Sequence, residues 1–277
     1  MKTLDQYGEV YIWNYIPSLP AAVVFSLLFG LATIVHLWKM VYTRTWFCIP
    51  FVVGGIFEEI GFTARACASN SNDALLPYLL QAIFLLLPPV FFAATLYMVY
   101  SRVVRAVQGE AFSLISPRWT SRVFIIGDLV TLNIQSTGAG LLSLPDLVLI
   151  GDYIVVAGLG LQVLMFAAFV YCCAVFNIRF RAHKDKTRRP KNGSWQSCLN
   201  ILYATSLLIL LRNIYRMAEF IMGNNGYLMQ REWPTYVFDA TLMLGVMIGF
   251  FIWYPHNLRA GSGDIPLTSC NHFSVEL

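Results

Sequence analysis

Phe47–Ala66 reads FCIPFVVGGIFEEIGFTARA. The run has the length a helix needs to cross about 30 Å of hydrocarbon, and its first half is apolar throughout. Its second half carries Glu58, Glu59 and Arg65. Charge persists inside a membrane only when it is paired or wetted, so the stretch reads as a transmembrane helix with a buried polar face. Six more span-length apolar runs surround it: Pro20–Met40, Leu75–Tyr100, Arg122–Leu142, Val148–Phe176, Cys198–Met222 and Tyr236–Pro255. In lipid each segment must satisfy its own backbone, so all seven are expected to be helices. The expected fold is an all-α integral membrane protein, a seven-transmembrane helix bundle. Residues 1–19 lie outside the cytoplasm, 20–256 form the membrane domain, and 257–277 are a cytoplasmic tail.

Composition agrees with that reading. The chain has 277 residues, 57% of them apolar and only 12% charged. That charged share is about half of what a soluble domain carries, and the mean hydropathy is +0.62. An ordinary soluble enzyme, a disordered chain and a nucleic-acid binder are all excluded. Orientation follows from the basic residues. Fourteen of the nineteen Lys and Arg fall on one side: Lys39 and Arg44; Arg102, Arg105, Arg118 and Arg122; Arg179, Arg181, Lys184, Lys186, Arg188, Arg189 and Lys191; and Arg259. The other side has Lys2 and Arg231. Positive charge stays inside, which places the N-terminus outside and the C-terminus in the cytoplasm.

The first nineteen residues carry Asp5 and Glu9 with no basic region before an apolar stretch, so no cleaved signal peptide is expected. Asn192-Gly193-Ser194 matches a glycosylation acceptor but falls in an expected cytoplasmic loop. Cys172, Cys173 and Cys198 read first as small apolar filler, and second as palmitoylation sites near the inner face.

The charges within the spans are the functional clue. Glu58, Gly61, Phe62 and Arg65 follow i, i+3, i+4, i+7 spacing and share one helix face, as do Arg212, Arg216 and Glu219. Asp239 opens the last span, while Asp128, Asn133 and Gln135 punctuate the fourth and Gln162 the fifth. By the orientation above, Glu58, Arg65, Arg212, Arg216, Glu219 and Asp239 lie in the middle-to-outer half, and Asp128 lies deeper. The simplest arrangement turns these faces together into an interlocked ion-pair network. Such a network either fixes helix register or lines a polar pocket that holds a ligand's head group while apolar walls hold its tail. The second reading makes Glu58, Arg65, Asp128, Gln135, Arg212, Arg216, Glu219 and Asp239 the candidate ligand-binding set. Pro88-Pro89 should kink the third span. Gly138, Gly140, Gly158 and Gly160 should let helices approach closely.

Several chemistries lack their parts. No lysine sits in a span core for a retinal Schiff base. The histidines are too few and too near the edges for an intramembrane zinc hydrolase: His36 and His256 read as interfacial packing. No Walker loop is present, and neither receptor signature of a G-protein-coupled receptor appears. No nucleophile–base pair or metal set is seen, so neither catalysis nor a cofactor is expected.

The chain resembles the fungal RTA-like family, also called the lipid-translocating exporters. The marks are Glu58-x-x-Gly61-Phe62-x-x-Arg65, Pro88 through Ala93-Ala94 to Tyr97, Gly127-Asp128 with Gln135 and Gly138-x-Gly140, and Gly158-Leu159 with Gln162. They continue with Arg212-x-x-Tyr215-Arg216-x-x-Glu219, then Glu232, Tyr236-x-Phe238-Asp239 and Pro255-His256. The resemblance implies a plasma-membrane protein, or one of another endomembrane, tied to lipid stress and drug resistance. Its partners would be membrane lipids or amphiphilic small molecules such as sphingoid long-chain bases. A receptor-like lipid sensor signalling through the basic cytoplasmic loops, or a porphyrin and haem transporter, is the alternative.

Overall fold

A computed structural model describes residues 17–69, 75–141, 147–186, 194–223, 226–252 and 254. The chain start through residue 16, the tail 257–277, Asn192-Gly193, Arg188, Arg189, Lys191 and His256 lie outside the described residues, as do the side chains of Lys184, Lys186 and Cys198. The described residues form helices and no strand. In order these are α1 (Leu19–Thr43), α2 (Ile49–Ala68), α3 (Leu75–Leu86), α4 (Pro88–Ala106), α5 (Pro117–Leu141), α6 (Val148–Lys186) and α7 (Ser194–Met222). Two short helices follow, α8 (Tyr227–Gln230) and α9 (Trp233–Thr235), then a π-helical turn (Tyr236–Ala240) and α10 (Thr241–Ile252).

Among the described residues five segments are long and apolar enough to cross a membrane: Leu19–Thr43, Trp46–Ala68, Leu76–Ala106, Val148–His183 and Trp233–Ile252. The other two expected spans are helices as well, α5 of 25 and α7 of 29 residues. Their apolar character is diluted by Asp128, Asn133 and Gln135 in α5, and by Arg212, Asn213, Arg216 and Glu219 in α7.

The helices pack in a ring. α1 lies on α2, α2 on α3 and α4, α4 on α5, α5 on α6, α6 on α7, α7 on α10, and α10 returns to α1. α4 also reaches across to α7 and is the most enclosed helix, with Phe92, Leu96, Tyr97, Tyr100 and Val104 essentially inaccessible. Leu27, Leu31, Ile34 and Trp38 on α1, and Leu149, Tyr153, Leu164 and Tyr171 on α6, are exposed, the outward apolar faces expected of lipid-facing helices. α6 has 39 residues. At 1.5 Å per residue it is about 58 Å long, well beyond the hydrocarbon thickness.

The third span breaks where its sequence demands. α3 ends at Leu86 and α4 begins at Pro88. The local bonds become Leu87 N–H to the Ile83 carbonyl at 3.3 Å and Val90 N–H to the Leu87 carbonyl at 3.1 Å. Proline has no N–H, so Pro89 leaves the carbonyl four residues earlier, that of Leu85, without its helical donor. Near the opposite edge of the bundle His36 is buried. Its Nε2 lies 3.0 Å from the Met247 carbonyl, and its ring sits among Phe51, Phe250, Phe251 and Tyr254, a packing role as expected. Cys172 and Cys173 are free and buried. Enclosure in the core removes the palmitoylation reading for these two.

Candidate functional site

Arg212 supplies the missing donor. Its side chain is 1% exposed. Its Nη2 donates to the Leu85 carbonyl that Pro89 leaves open, and its Nε donates to Asp239 Oδ1 at 2.6 Å. One guanidinium thus ties α7 to the α3–α4 break and to the π-helical turn, using the fork that suits arginine to several acceptors. The turn has its own cause. The Thr241 N–H bonds the Tyr236 carbonyl five residues back, and the Thr241 hydroxyl donates to the same oxygen at 2.8 Å. A wider turn of this kind rotates the residues within it, and such turns recur at functional sites. Here it contains the buried Asp239.

A second pair closes one end of the bundle. Arg65, at the end of α2, donates from Nη2 to Glu232 Oε1 at 3.0 Å and from Nε to the Tyr236 hydroxyl at 3.1 Å. Tyr236 donates to the same Glu232 oxygen at 3.0 Å. Both Glu232 oxygens also accept the Ser18 N–H, at 2.8 and 3.0 Å, and Ser18 caps α1 through its side chain. Phe62 stacks on Phe25, Phe29 and Tyr236 beneath this clamp. Replacing Glu232 with alanine leaves a buried guanidinium without its carboxylate, an exposure that costs about 3–5 kcal/mol in a buried pair; the 18% exposure of Glu232 sets the expectation at about half of that. A fall in the melting temperature of the detergent-solubilised protein, with Glu232→Gln less affected, is the expected result.

The third pair is local: Arg216 Nη1 to Glu219 Oε2 at 2.7 Å, three residues apart on α7. The Tyr215 hydroxyl approaches Glu219 Oε1 at 3.5 Å. Glu58 belongs to none of these pairs. It is 2% exposed, it lies within electrostatic reach of Asp239, Arg212 and Arg216, and its Oε1 has no hydrogen-bond partner. Asp239 Oδ2 also has none.

Asp128 and Gln135 do not join this group. Asp128 Oδ2 accepts the Tyr97 hydroxyl at 2.8 Å, which joins α5 to α4. Gln135 Nε2 donates to Gln162 Oε1 at 2.7 Å, which joins α5 to α6. The expected single network is therefore two separate polar centres, one at α2, α7 and the π-helical turn, the other between α4, α5 and α6. The shared face of Glu58 and Arg65 on α2 is present, since both are buried, but Arg65 spends its hydrogen bonds on Glu232 and Tyr236.

Glu232, Tyr236 and Tyr97 were not in the candidate set drawn from charges within apolar runs. Glu232 precedes the last run and so escapes a search for charges in hydrocarbon. Its four-residue spacing from Tyr236 is the signal that places the two on one helical face. Among the described residues no group of three or more His, Cys, Asp or Glu is placed to hold a metal ion.

The model of the family described as RTA1 like protein matches residues 51–262. The chain is 31% identical to protoporphyrin uptake protein 1 of Saccharomyces cerevisiae, over 91% of this chain and 94% of that one. It is 32% identical to protein RTA1 of the same organism, over 75% of this chain and 65% of that one. It is 27% identical to the sphingoid long-chain base transporter RSB1 of S. cerevisiae, over 91% and 76% respectively. No solved structure matches the chain.

Proposed function

Because the chain belongs to the RTA1-like protein family, we propose that it is a seven-span membrane translocator of amphiphilic lipids. In this reading its N-terminus is outside, its C-terminus is cytoplasmic, and its working place is the plasma membrane. The polar head of a lipid such as a sphingoid long-chain base is received at Glu58, Arg65, Arg212, Arg216, Glu219 and Asp239. The tail follows the apolar helix faces. Asp128 and Gln135 hold α5 against α4 and α6 and set the shape of the bundle around that site. The observation that carries the reading is the buried Glu58 oxygen that has no hydrogen-bond partner, within electrostatic reach of the Arg212–Asp239 pair. It is a polar position inside an apolar bundle that internal bonding leaves unfilled. The relative named as a sphingoid long-chain base transporter supports the ligand class.

The test is leaflet exchange. Purified protein in phosphatidylcholine vesicles should speed the movement of a fluorescent sphingoid base between leaflets at least tenfold over protein-free vesicles. Binding of the lipid with no exchange would replace transport by sensing. A porphyrin reading is favoured by the relative named as a protoporphyrin uptake protein. Protoporphyrin IX in the same vesicles distinguishes it, since acceleration of the porphyrin alone would make that the cargo.

A further inference from the structure

The seam between α1 and α2 carries polar groups at successive turns. The Ser26 and Thr63 hydroxyls bond each other at 2.8 Å. One turn on, the Glu59 carboxylate lies against Gly30, where a Cβ would stand 3.4 Å from both Glu59 Cδ and Oε1. At the turn after that, Gly55 admits the Thr33 hydroxyl, which is buried and has no hydrogen-bond partner. Glu59 and Thr63 are four residues apart on α2, as Ser26 and Gly30 are on α1, so these contacts stack along one groove. The groove opens to the outside of the bundle. Thr63 is exposed, and Ser26, Gly30 and Glu59 are partly so. Leu27, Leu31 and Ile56 of the same two helices are exposed apolar side chains.

Glu59 is the anomaly in this groove. Both helices belong to segments long and apolar enough to cross a membrane, Leu19–Thr43 and Trp46–Ala68. Their midpoints fall at residues 31 and 57, so Gly30 and Glu59 stand at the middle of their spans. Among the described residues Glu59 forms no ion pair and no hydrogen bond. The nearby bases are engaged elsewhere. On α1, His36 lies against the Met247 carbonyl and Lys39 donates to that of Phe251. On α2, Arg65 holds Glu232 and Tyr236. α3 and α10 contain no base, and on α4 Arg102 and Arg105 come ten and more residues after Phe92, which packs on Gly54. A carboxylate in mid-span, open to hydrocarbon and without a partner, is costly and marks a functional position. It can only accept hydrogen bonds, so its complement is a donor that carries positive charge. With no base in the groove to meet a phosphate, a phospholipid head would set its own anion beside the acid.

We propose that this groove is a second binding site, on the other flank of α2 from Glu58, for an amphiphile whose head is a primary ammonium without phosphate. The N–H groups of the ammonium reach the Glu59 carboxylate and the Ser26–Thr63 hydroxyls, and the absent Cβ of Gly30 leaves the head its room. The tail lies on the exposed apolar faces of α1 and α2. The site rests on the groove itself. Its position midway between the leaflets makes it a station on the crossing, and that role rests on the transport reading.

Photolabelling tests the site. In phosphatidylcholine vesicles, a hexadecylamine with a diazirine in its chain should label the segments around Gly30 and Glu59 about tenfold more than the matching hexadecanol. Glu59→Gln keeps the shape, removes the charge and should cut this labelling about tenfold. Gly30→Leu fills the groove, keeps the acid and should do the same; it serves if Glu59→Gln does not fold. Leu164→Ala, on the exposed face of α6, should change nothing. Equal labelling by amine and alcohol, or labelling indifferent to both groove variants, overturns the site. Chemical crosslinking of a dimer that Glu59→Gln abolishes, with labelling unchanged, also overturns it and gives the groove to a second copy of the chain. For the station, Glu59→Gln should slow exchange of the fluorescent sphingoid base about tenfold, and unchanged exchange overturns that role. A parent protein that is labelled in the groove but exchanges no lipid keeps the site and sinks the transport reading instead.

Discussion

Arg212→Leu is expected to eliminate the folded protein. Two buried groups lose their partner at once. Asp239 keeps its charge with no cation in contact, a change that costs about 3–5 kcal/mol in buried pairs. The Leu85 carbonyl loses the donor that stands in for the N–H absent at Pro89, which adds about 1–3 kcal/mol. Native proteins hold only about 5–15 kcal/mol in total. Size-exclusion chromatography of the detergent-solubilised variant should show loss of the monodisperse peak. The rescue is specific. Asp239→Leu removes the orphaned charge, and Pro89→Ala returns an N–H to the Leu85 carbonyl, so the triple variant should recover most of the peak and each added change should contribute. A single Arg212→Leu protein that melts within about 2 °C of the parent would show that the guanidinium is dispensable to the fold.

Gly138→Ala should destabilise the bundle, less than Arg212→Leu does, and Gly140→Ala should not. A Cβ at Gly138 would stand 2.7 Å from Val155 Cγ2, 2.8 Å from the Val155 nitrogen and 2.9 Å from the Gly151 carbonyl oxygen. Two of these three atoms are backbone and cannot rotate aside, so α5 and α6 must part along their whole contact. Overpacking of this kind costs about 1–3 kcal/mol, sometimes more. At Gly140 a Cβ meets nothing within 4 Å, and alanine there gains up to about 1 kcal/mol of helix propensity. Gly158 and Gly160 repeat the contrast: a Cβ at the first stands 2.8 Å from Gln135 Cγ, whereas the second meets only Met217 Sδ at 3.9 Å. Melting temperatures of the four single-alanine variants should fall at 138 and 158 and hold or rise at 140 and 160. Equal effects within either pair would show that α5 and α6 do not meet at this separation.

Those glycines also mark how far the sequence could be read. Apolar run length located every long helix, because segments of about twenty apolar residues have no other stable use, but it missed polar ends: α6 runs ten residues past Phe176, α4 six past Tyr100, and α5 starts five before Arg122. Pro88-Pro89 announced the break in the third span, because a missing N–H is written in the residue type. Which of two nearby glycines faces a neighbour depends on the rotation of α5 about its axis, and four glycines of the same residue type carry no record of it. The partners of the buried charges were hidden for the same reason. Arg65 and Glu58 share a face of α2, yet the partner of Arg65 sits far along the chain at Glu232, outside the apolar runs. Asp239 reaches Arg212 from a π-helical turn whose extra residue no periodicity of 3.6 foretells. Asp128 and Gln135 have the chemistry of the other six candidates, and only the packing of α5 between α4 and α6 separates them.

The Glu232 clamp has a consequence for how the chain is made. Ser18 and Arg65 leave the ribosome early, and the carboxylate that satisfies both is translated only just before the final helix. Until then the start of the first helix and the end of the second are inserted but not fastened. A nascent chain truncated before Glu232 should therefore remain open to protease at that end, and completion of the last hairpin is the event that locks the first.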